Sequence, residues 1–395
     1  MRLLYLTPRF PHPQLKGEQL AAYHRLVGLA PRHEISLVSF YEQDEELHHL
    51  DRMRELCASV ELVKLPRRRG VANVARRAPF ERLPLQVLYY SSPAFGRLVA
   101  RAGERGPFDV AHAFMLRMLP YLAQVDAPRI LDALDSMTLR MRRNVEVERP
   151  PRKWLFREEL RRVAGYERTV GAVVDRVLVA SDRDRDSFAG AAVAVVPNGV
   201  DAERFRPDAA RTRPGTIVFS GTMSYGPNVR AAVWFARECF PRVRADVPEA
   251  RFVVAGAAPT REVRRLGELP GVEVTGFVPA MADTLNTGSV AIAPMQSGAG
   301  IQNKVLEAMA CGRAVVTTTI GLGGIEARPD VELVVADGAE EFAGAVSRLL
   351  RDEGRAGELG LNARARVLER YTWGRAADAV DRIYLDLAQG LPATA

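Results

Sequence analysis

"SGAGIQNKVLEAMACGRAVV", Ser297–Val316, is the stretch from which the rest of the chain can be read. Small residues and two glycines lead into a lysine, a glutamate and an apolar run. Lys304 and Glu307 stand three residues apart, so both heads leave the first turn of a helix on the same side. A glycine-rich loop opening a helix directs free backbone N–H groups and the positive end of the helix dipole at an anion. Lys304 adds a point charge there, and Glu307 can accept hydrogen bonds from hydroxyls. The spacing implies a site for a ligand carrying both phosphate and sugar.

Around this stretch, short apolar runs alternate with helical ones. "TIVFSG", "RFVVAG", "VEVTGF", "VAIAPM", "AVVTTT" and "ELVVA" are expected strands of the second half. "RLLYLT", "EISLVSF", "VELVKL", "DVAHAF", "RILDAL" and "DRVLVAS" play that part in the first half. "GEQLAAYHRLVGLA" and residues 155–174 are helical in pattern. Strands separated by helices imply parallel sheets covered on both faces. The expected fold is α/β, with two Rossmann-like, doubly wound parallel-sheet domains facing a central cleft where ligands bind at strand carboxyl ends. "VVPNGV" marks the linker. The expected boundaries are 1–196, 197–370 and a terminal segment 371–395, whose helix opens at Thr372 and packs back on the first domain.

A chain of 395 residues exceeds one typical core and suits two domains of about 150–200 residues each. It is 47% hydrophobic and 26% charged, with a formal charge of +7. Between Pro66 and Arg82 lie six arginines and one carboxylate, Glu81. Such a stretch suits an anionic membrane surface or acceptor, or is a solvated loop; without interleaved aromatics nucleic acid is not expected. Cys57, Cys239 and Cys311 follow no metal or disulfide spacing, which fits a reducing cytoplasm. No apolar run reaches the ~18 residues of a membrane span, and the apolar start "MRLLYLT" reads as a first buried strand, being too short for a signal peptide.

In order, "VVPNGVDAERFRP", "FSGTMSYGPN", "RFVVAGAAP", "VEVTGFVP", "VAIAPM" and "GIQNKVLEAMACGRAVV" resemble the family-4 retaining glycosyltransferases of GT-B fold. The resemblance covers nearly the whole chain and is strongest over 196–319, near a bacterial exopolysaccharide and glycan branch. It implies that Glu307 binds the ribose hydroxyls of a nucleoside diphosphate sugar. Gly298, Gly300, Ile301, Gln302 and Asn303 would lie along donor sugar and phosphates. Gly221 would let the chain pass close to the diphosphate, while Gly256, Gly276, Phe277 and Val278 would flank the base.

The chain departs from the family at several positions. Ala299 stands where the first glutamate of the family's E-x7-E motif belongs, and Thr222 and Pro227 replace the Arg and Lys that clamp the diphosphate. A diphosphate needs cations to offset its charge, so Lys304 is the expected replacement, with Asn228 as an uncharged helper. In the first half, Gly17 resembles the family's loop glycine, with Lys16 or Glu18 facing the cleft. Phe114 occupies the place of the usual catalytic histidine, leaving His112 as a catalytic candidate or a core residue. Asp132, Asp135 and Ser136 could meet acceptor hydroxyls, or Asp135 could cap a helix. The D-x-D strings among Asp182, Asp184 and Asp186 fit a helix start better than a metal site.

The expectation is a cytoplasmic, metal- and cofactor-independent hexosyltransferase, retaining the anomeric configuration. It would move sugar from a UDP- or GDP-type donor to a sugar, lipid-linked or small-molecule acceptor in polysaccharide or related biosynthesis, with peripheral membrane contact. A catalytically inactive binding or scaffold relative, or a GT-B-fold sugar-nucleotide epimerase, are the alternatives.

Overall fold

The computed structural model describes residues 1–14, 17–298 and 300–390. Lys16 and Ala299 therefore lie outside the described residues. The chain forms two compact units, Met1–Pro197 together with the segment from Trp373, and Asn198–Thr372. The crossing falls inside "VVPNGV", where residues 196–199 belong to neither helix nor strand and Pro197 has no N–H to continue strand pairing.

The first unit holds seven strands: β1 Arg2–Thr7, β2 Glu34–Tyr41, β3 Ser59–Lys64, β4 Val110–Phe114, β5 Arg129–Leu134, β6 Arg176–Val179 and β7 Val193–Val195. All pair in parallel, in the order β3-β2-β1-β4-β5-β6-β7. Burial follows from that pairing. β1 is buried at five of six positions and β4 at all five, because helices cover both faces.

The second unit repeats the winding with β8 Thr216–Ser220, β9 Arg251–Ala255, β10 Val272–Gly276, β11 Val290–Ala293, β12 Ala314–Thr317 and β13 Val334–Val335, ordered β10-β9-β8-β11-β12-β13. The sixth strand is only two residues long, shorter than "ELVVA" suggests. Each sheet reverses its direction of growth once, between β1 and β4 and between β8 and β11. At such reversals the loops diverge and leave a crevice at the strand carboxyl ends.

The last helix, Trp373–Ala388, belongs to the first unit. It lies on the Gly17–Leu29 helix so closely that a Cβ on Gly28 would stand 2.3 Å from the Cβ of Ala377. Trp373 stacks on His24 at 4.7 Å, and Arg32 pairs with Asp381 at 2.8 Å.

Beneath this helix runs a buried polar chain. Arg25 pairs with Asp132 at 2.7 Å, Tyr384 Oη and His112 Nδ1 share a hydrogen bond at 2.6 Å, and Tyr5 stacks on His112 at 4.4 Å. His112 and Asp132 are both fully buried. Burial, then Arg25, holds the imidazole pKa well below the usual range, so it stays neutral. This corrects two expectations. Neither the catalytic role for His112 nor the acceptor role for Asp132 fits side chains with no path to solvent.

Candidate functional site

The second unit's crevice is built by loops after β8, β9, β10 and β11. Gly221 and Gly256 end β8 and β9 with φ of 151° and 146°. A Cβ on Gly256 would stand 1.7 Å from the carbonyl oxygen of Gly221, so only glycine allows the two strand ends this approach. Gly276 ends β10 with φ 70°, and Phe277 beyond it is 75% exposed, an aromatic face open to a flat ligand.

The helix Asn303–Ala310 forms because Val305, Leu306, Ala308 and Met309 make a buried face and Gly312, at φ 64°, stops it. Lys304 and Glu307 are left half-buried at the edge of that face. The Lys304 ammonium donates to Asn228 Oδ1 at 3.0 Å and Gln302 Oε1 at 3.1 Å, and lies 5.8 Å from the centre of the Phe219 ring. Asn228 is buried and its amide donates to the carbonyl of Thr222 at 3.0 Å. Lys304 thus joins the start of the helix after β8 to the loop after β11, the two strands that flank the reversal.

Among the described residues no carboxylate forms an ion pair with Lys304. Burial lowers its pKa to about 8, and Glu307 partly opposes the shift. The Glu307 carboxylate makes no hydrogen bond among the described residues. Burial raises its pKa, while Lys304 and then Arg204 draw it down. The buried Oδ1 of Asn303 also has no hydrogen-bond partner. Unmet acceptors and a cation without a counter-charge form a site built for a polar, anionic ligand.

A second cation was not foreseen from the sequence. Arg230, on the helix Gly226–Trp234, donates from Nη2 to Ser297 Oγ at 2.7 Å and from Nε at 3.3 Å. It therefore sits against the glycine loop that precedes Lys304. Its spacing to Gly226, i to i+4, was the available signal, since both occupy one face of that helix. Thr222 is exposed, and Pro227 lies in the helix's first turn, where its missing N–H costs nothing. Gly298 and Gly300 have φ of 143° and 68°, and Ile301 is buried.

In the first unit, Glu18 pairs with Arg9 at 2.5 Å and with Arg117, bridging the segments that follow β1 and β4. Gly17 opens the helix, and a Cβ there would meet nothing within 4 Å, so no close contact demands glycine. Asp135 follows Leu134, a non-glycine residue at φ 60°, and Met115 at the end of β4 has φ 73°. Burial, then Asp184, pushes the Asp135 carboxyl up to about 6. Asp135 does not cap the next helix. Ser136 does, accepting from Leu139 N at 3.1 Å, while Glu167 accepts from Met137 N at 2.7 Å. Asp184 is buried, accepting from Ser136 N at 2.8 Å and Ser181 Oγ at 2.6 Å, a local structural role within the D-x-D run.

Two parallel sheets with the same winding, each carrying its strand-end loops at one reversal, define the double Rossmann-like GT-B fold. Residues 214–352, the part that carries Lys304 and Glu307, match the family described as Glycosyl transferases group 1. The chain is 31% identical over 265 residues to a D-inositol 3-phosphate glycosyltransferase of Saccharomonospora viridis, covering 59% of this chain and 60% of that protein. It is 28% identical over 214 residues to a glycogen synthase of Mycobacterium tuberculosis, covering 51% and 50%. The aligned part thus spans about 60% of the D-inositol 3-phosphate glycosyltransferase. In fold, it is similar to Anabaena HepE in complex with UDP, with TM-score 0.68, 14% identity, and 98% and 100% of the two chains covered. A sucrose-phosphate synthase from Thermosynechococcus elongatus has TM-score 0.72, 16% identity, and coverage of 99% and 100%.

Proposed function

We propose that the protein is a retaining, metal-independent glycosyltransferase that moves a hexosyl group from a nucleoside diphosphate sugar to an acceptor hydroxyl. The observation that carries this reading is Lys304, an uncompensated ammonium at the strand reversal, one turn from a carboxylate with free acceptor capacity. Glu307 would take the ribose hydroxyls and Phe277 would lie against the base. Lys304 and Arg230 would meet the diphosphate, the first through Nζ, the second from across the 297–300 loop. As the sugar–phosphate bond breaks, negative charge grows on the diphosphate and both cations stabilise it more strongly. The departing phosphate would accept the acceptor's proton on the face it leaves, which preserves the anomeric configuration. Similarity to a fold seen with UDP supports a uridine donor.

In the first unit, Asp135 is the remaining candidate for binding acceptor hydroxyls at the strand ends. Contact with an anionic membrane surface on the cytoplasmic side is proposed from the arginine-rich stretch. No described helix is long and apolar enough to cross a membrane.

A thermal-shift panel of UDP-, GDP-, TDP- and ADP-sugars tests the reading. A donor at 100 times its dissociation constant stabilises by about 2.7 kcal/mol, and one base should stand out. No shift with any of the four defeats the proposal. The rival is a non-catalytic binding relative, favoured by Thr222 and Pro227 at the clamp positions. It predicts a shift without any release of nucleoside diphosphate when acceptors are supplied.

A further inference from the structure

A cavity of ≈510 Å³ in the first unit lies between residues 77–100 and 117–124. That volume falls within the ~300–1,000 Å³ of small-ligand pockets. Three guanidiniums line it, from Arg77, Arg97 and Arg117, and Leu83, Val87 and Tyr121 contribute to its apolar wall. Two of the cations are already engaged. Arg77 pairs with Glu81 at 2.5 Å; Arg117 pairs with Glu18 and lies 5.0 Å over the Tyr90 ring. Arg97, on the exposed face of the helix Pro93–Glu104, has neither ion pair nor hydrogen bond among the described residues.

The charge around the cavity is unusual for this chain. Residues 66–101 contain eight arginines and one carboxylate, Glu81, a surplus of seven that equals the formal charge of the entire protein. The rest of the chain is balanced. Within this stretch Phe80 is 87% exposed and Val71 is 54% exposed, apolar side chains held in water on a basic surface. A soluble anion would use the arginines and leave the apolar surface unmatched. An apolar ligand would strand Arg97. A ligand with both parts satisfies both.

We propose that this cavity binds the head of an anionic membrane lipid that ends in a terminal phosphate. Its phosphate meets Arg97 and Arg117, and its chain leaves along Leu83, Val87 and Tyr121 toward the exposed Phe80. The guanidinium fork matches phosphate oxygens in pairs, which a lysine would not do. Nothing in this assignment depends on the donor site of the second unit.

The test is calorimetric titration of the full chain at low salt. The probes are dioctanoyl phosphatidate below its micelle concentration, dioctanoyl phosphatidylcholine, and inorganic phosphate. Phosphatidate should bind at least about tenfold more tightly than either other probe, since a charge-assisted bond is worth ~1.5–3 kcal/mol and 1.4 kcal/mol is tenfold. Arg97→Gln should weaken phosphatidate about tenfold, and Ala100→Trp, which fills the cavity from an exposed helix position, should abolish it. Both should keep the wild-type melting transition; if one does not, the other decides. Equal affinity for inorganic phosphate makes the site one for free anions and overturns the proposal. Equal affinity for phosphatidylcholine, or wild-type phosphatidate binding by a folded variant, also overturns it.

Discussion

The ammonium of Lys304 rests 3.0 Å from the side-chain oxygen of Asn228, a buried amide whose own N–H₂ is committed to the carbonyl of Thr222. Neutral dipoles hold the charge in place without cancelling it. Lys304→Met should therefore separate two properties. Affinity for a nucleoside diphosphate should fall by a few kcal/mol, on the order of 2–4, with turnover falling further. The ligand-free protein at pH 7 should melt higher, because a half-buried charge is removed. Calorimetry and thermal melting measure the two signs; normal diphosphate affinity would reduce Lys304 to a stem packed on the helix surface.

The same lysine predicts proton linkage. Its pKa of about 8 in the folded protein lies below the ordinary 10.5. From about pH 8 to 10.5 the unfolded chain holds more protons, so this group makes stability rise with pH in that window. A bound diphosphate restores the proton. At pH 8.5, titration in buffers of different ionisation enthalpy should show proton uptake on binding, absent in Lys304→Met. Identical proton uptake in the variant would assign the linkage elsewhere.

Glu307→Gln keeps the shape and one acceptor but removes the charge that strengthens bonds from ribose hydroxyls. Nucleoside diphosphate affinity should fall by about 1.5–3 kcal/mol. The corresponding 2′,3′-dideoxy nucleotide should lose much less, since it has no hydroxyls to place. Equal losses for both nucleotides would mean that Glu307 acts on the loop rather than the ribose.

Arg230→Gln should reduce diphosphate affinity and steepen no salt dependence, because it deletes a charge contact. Ser297→Ala leaves the guanidinium in place and frees it, so its effect should be small. If Ser297→Ala matches Arg230→Gln, the arginine serves only to hold the 297–300 loop.

Glu167 gives a pH prediction for stability alone. Burial pushes its carboxyl up to about 7, against an ordinary 4.5, despite bonds from Ser136, Met137 and Thr138. The folded state binds the proton more tightly. The stability it contributes is full below about pH 4.5 and is lost as pH rises through about 7. Glu167→Gln should flatten that slope by an amount on the order of 2–3 kcal/mol. Denaturant titrations at pH 5 and pH 8 would show it; unchanged slopes would remove Glu167 as the origin.

Much of this was legible in the chain itself. Both sheets could be read because buried parallel strands are apolar on both faces, as in "RLLYLT" and "TIVFSG". The glycines at 221, 256, 276, 298 and 300 were legible because loops at strand ends need φ values other residues avoid. Lys304 and Glu307 share a helix edge, so three residues of spacing place them together. For His112 the sequence could not choose between catalysis and the core, where it lies, and Asp132 was misread, for the opposite reason. Strand position says which residues are neighbours in sequence, not whether a distant helix covers them, and Tyr384 lies 272 residues from His112.

The sequence alone determined what local physics controls: strand and helix periods, the glycine-bearing turns, the linker at Pro197–Asn198, and the lysine–glutamate pair. Tertiary structure alone decided which charges meet. It set Asn228 and Gln302 around Lys304, brought Arg230 to Ser297, and buried Arg25 against Asp132 under the last helix. It also set Arg77, Arg97 and Arg117 around one cavity. The physical reason is range. Backbone preference acts within a few residues, whereas burial and ion pairing depend on packing between segments that the chain separates by tens to hundreds of residues.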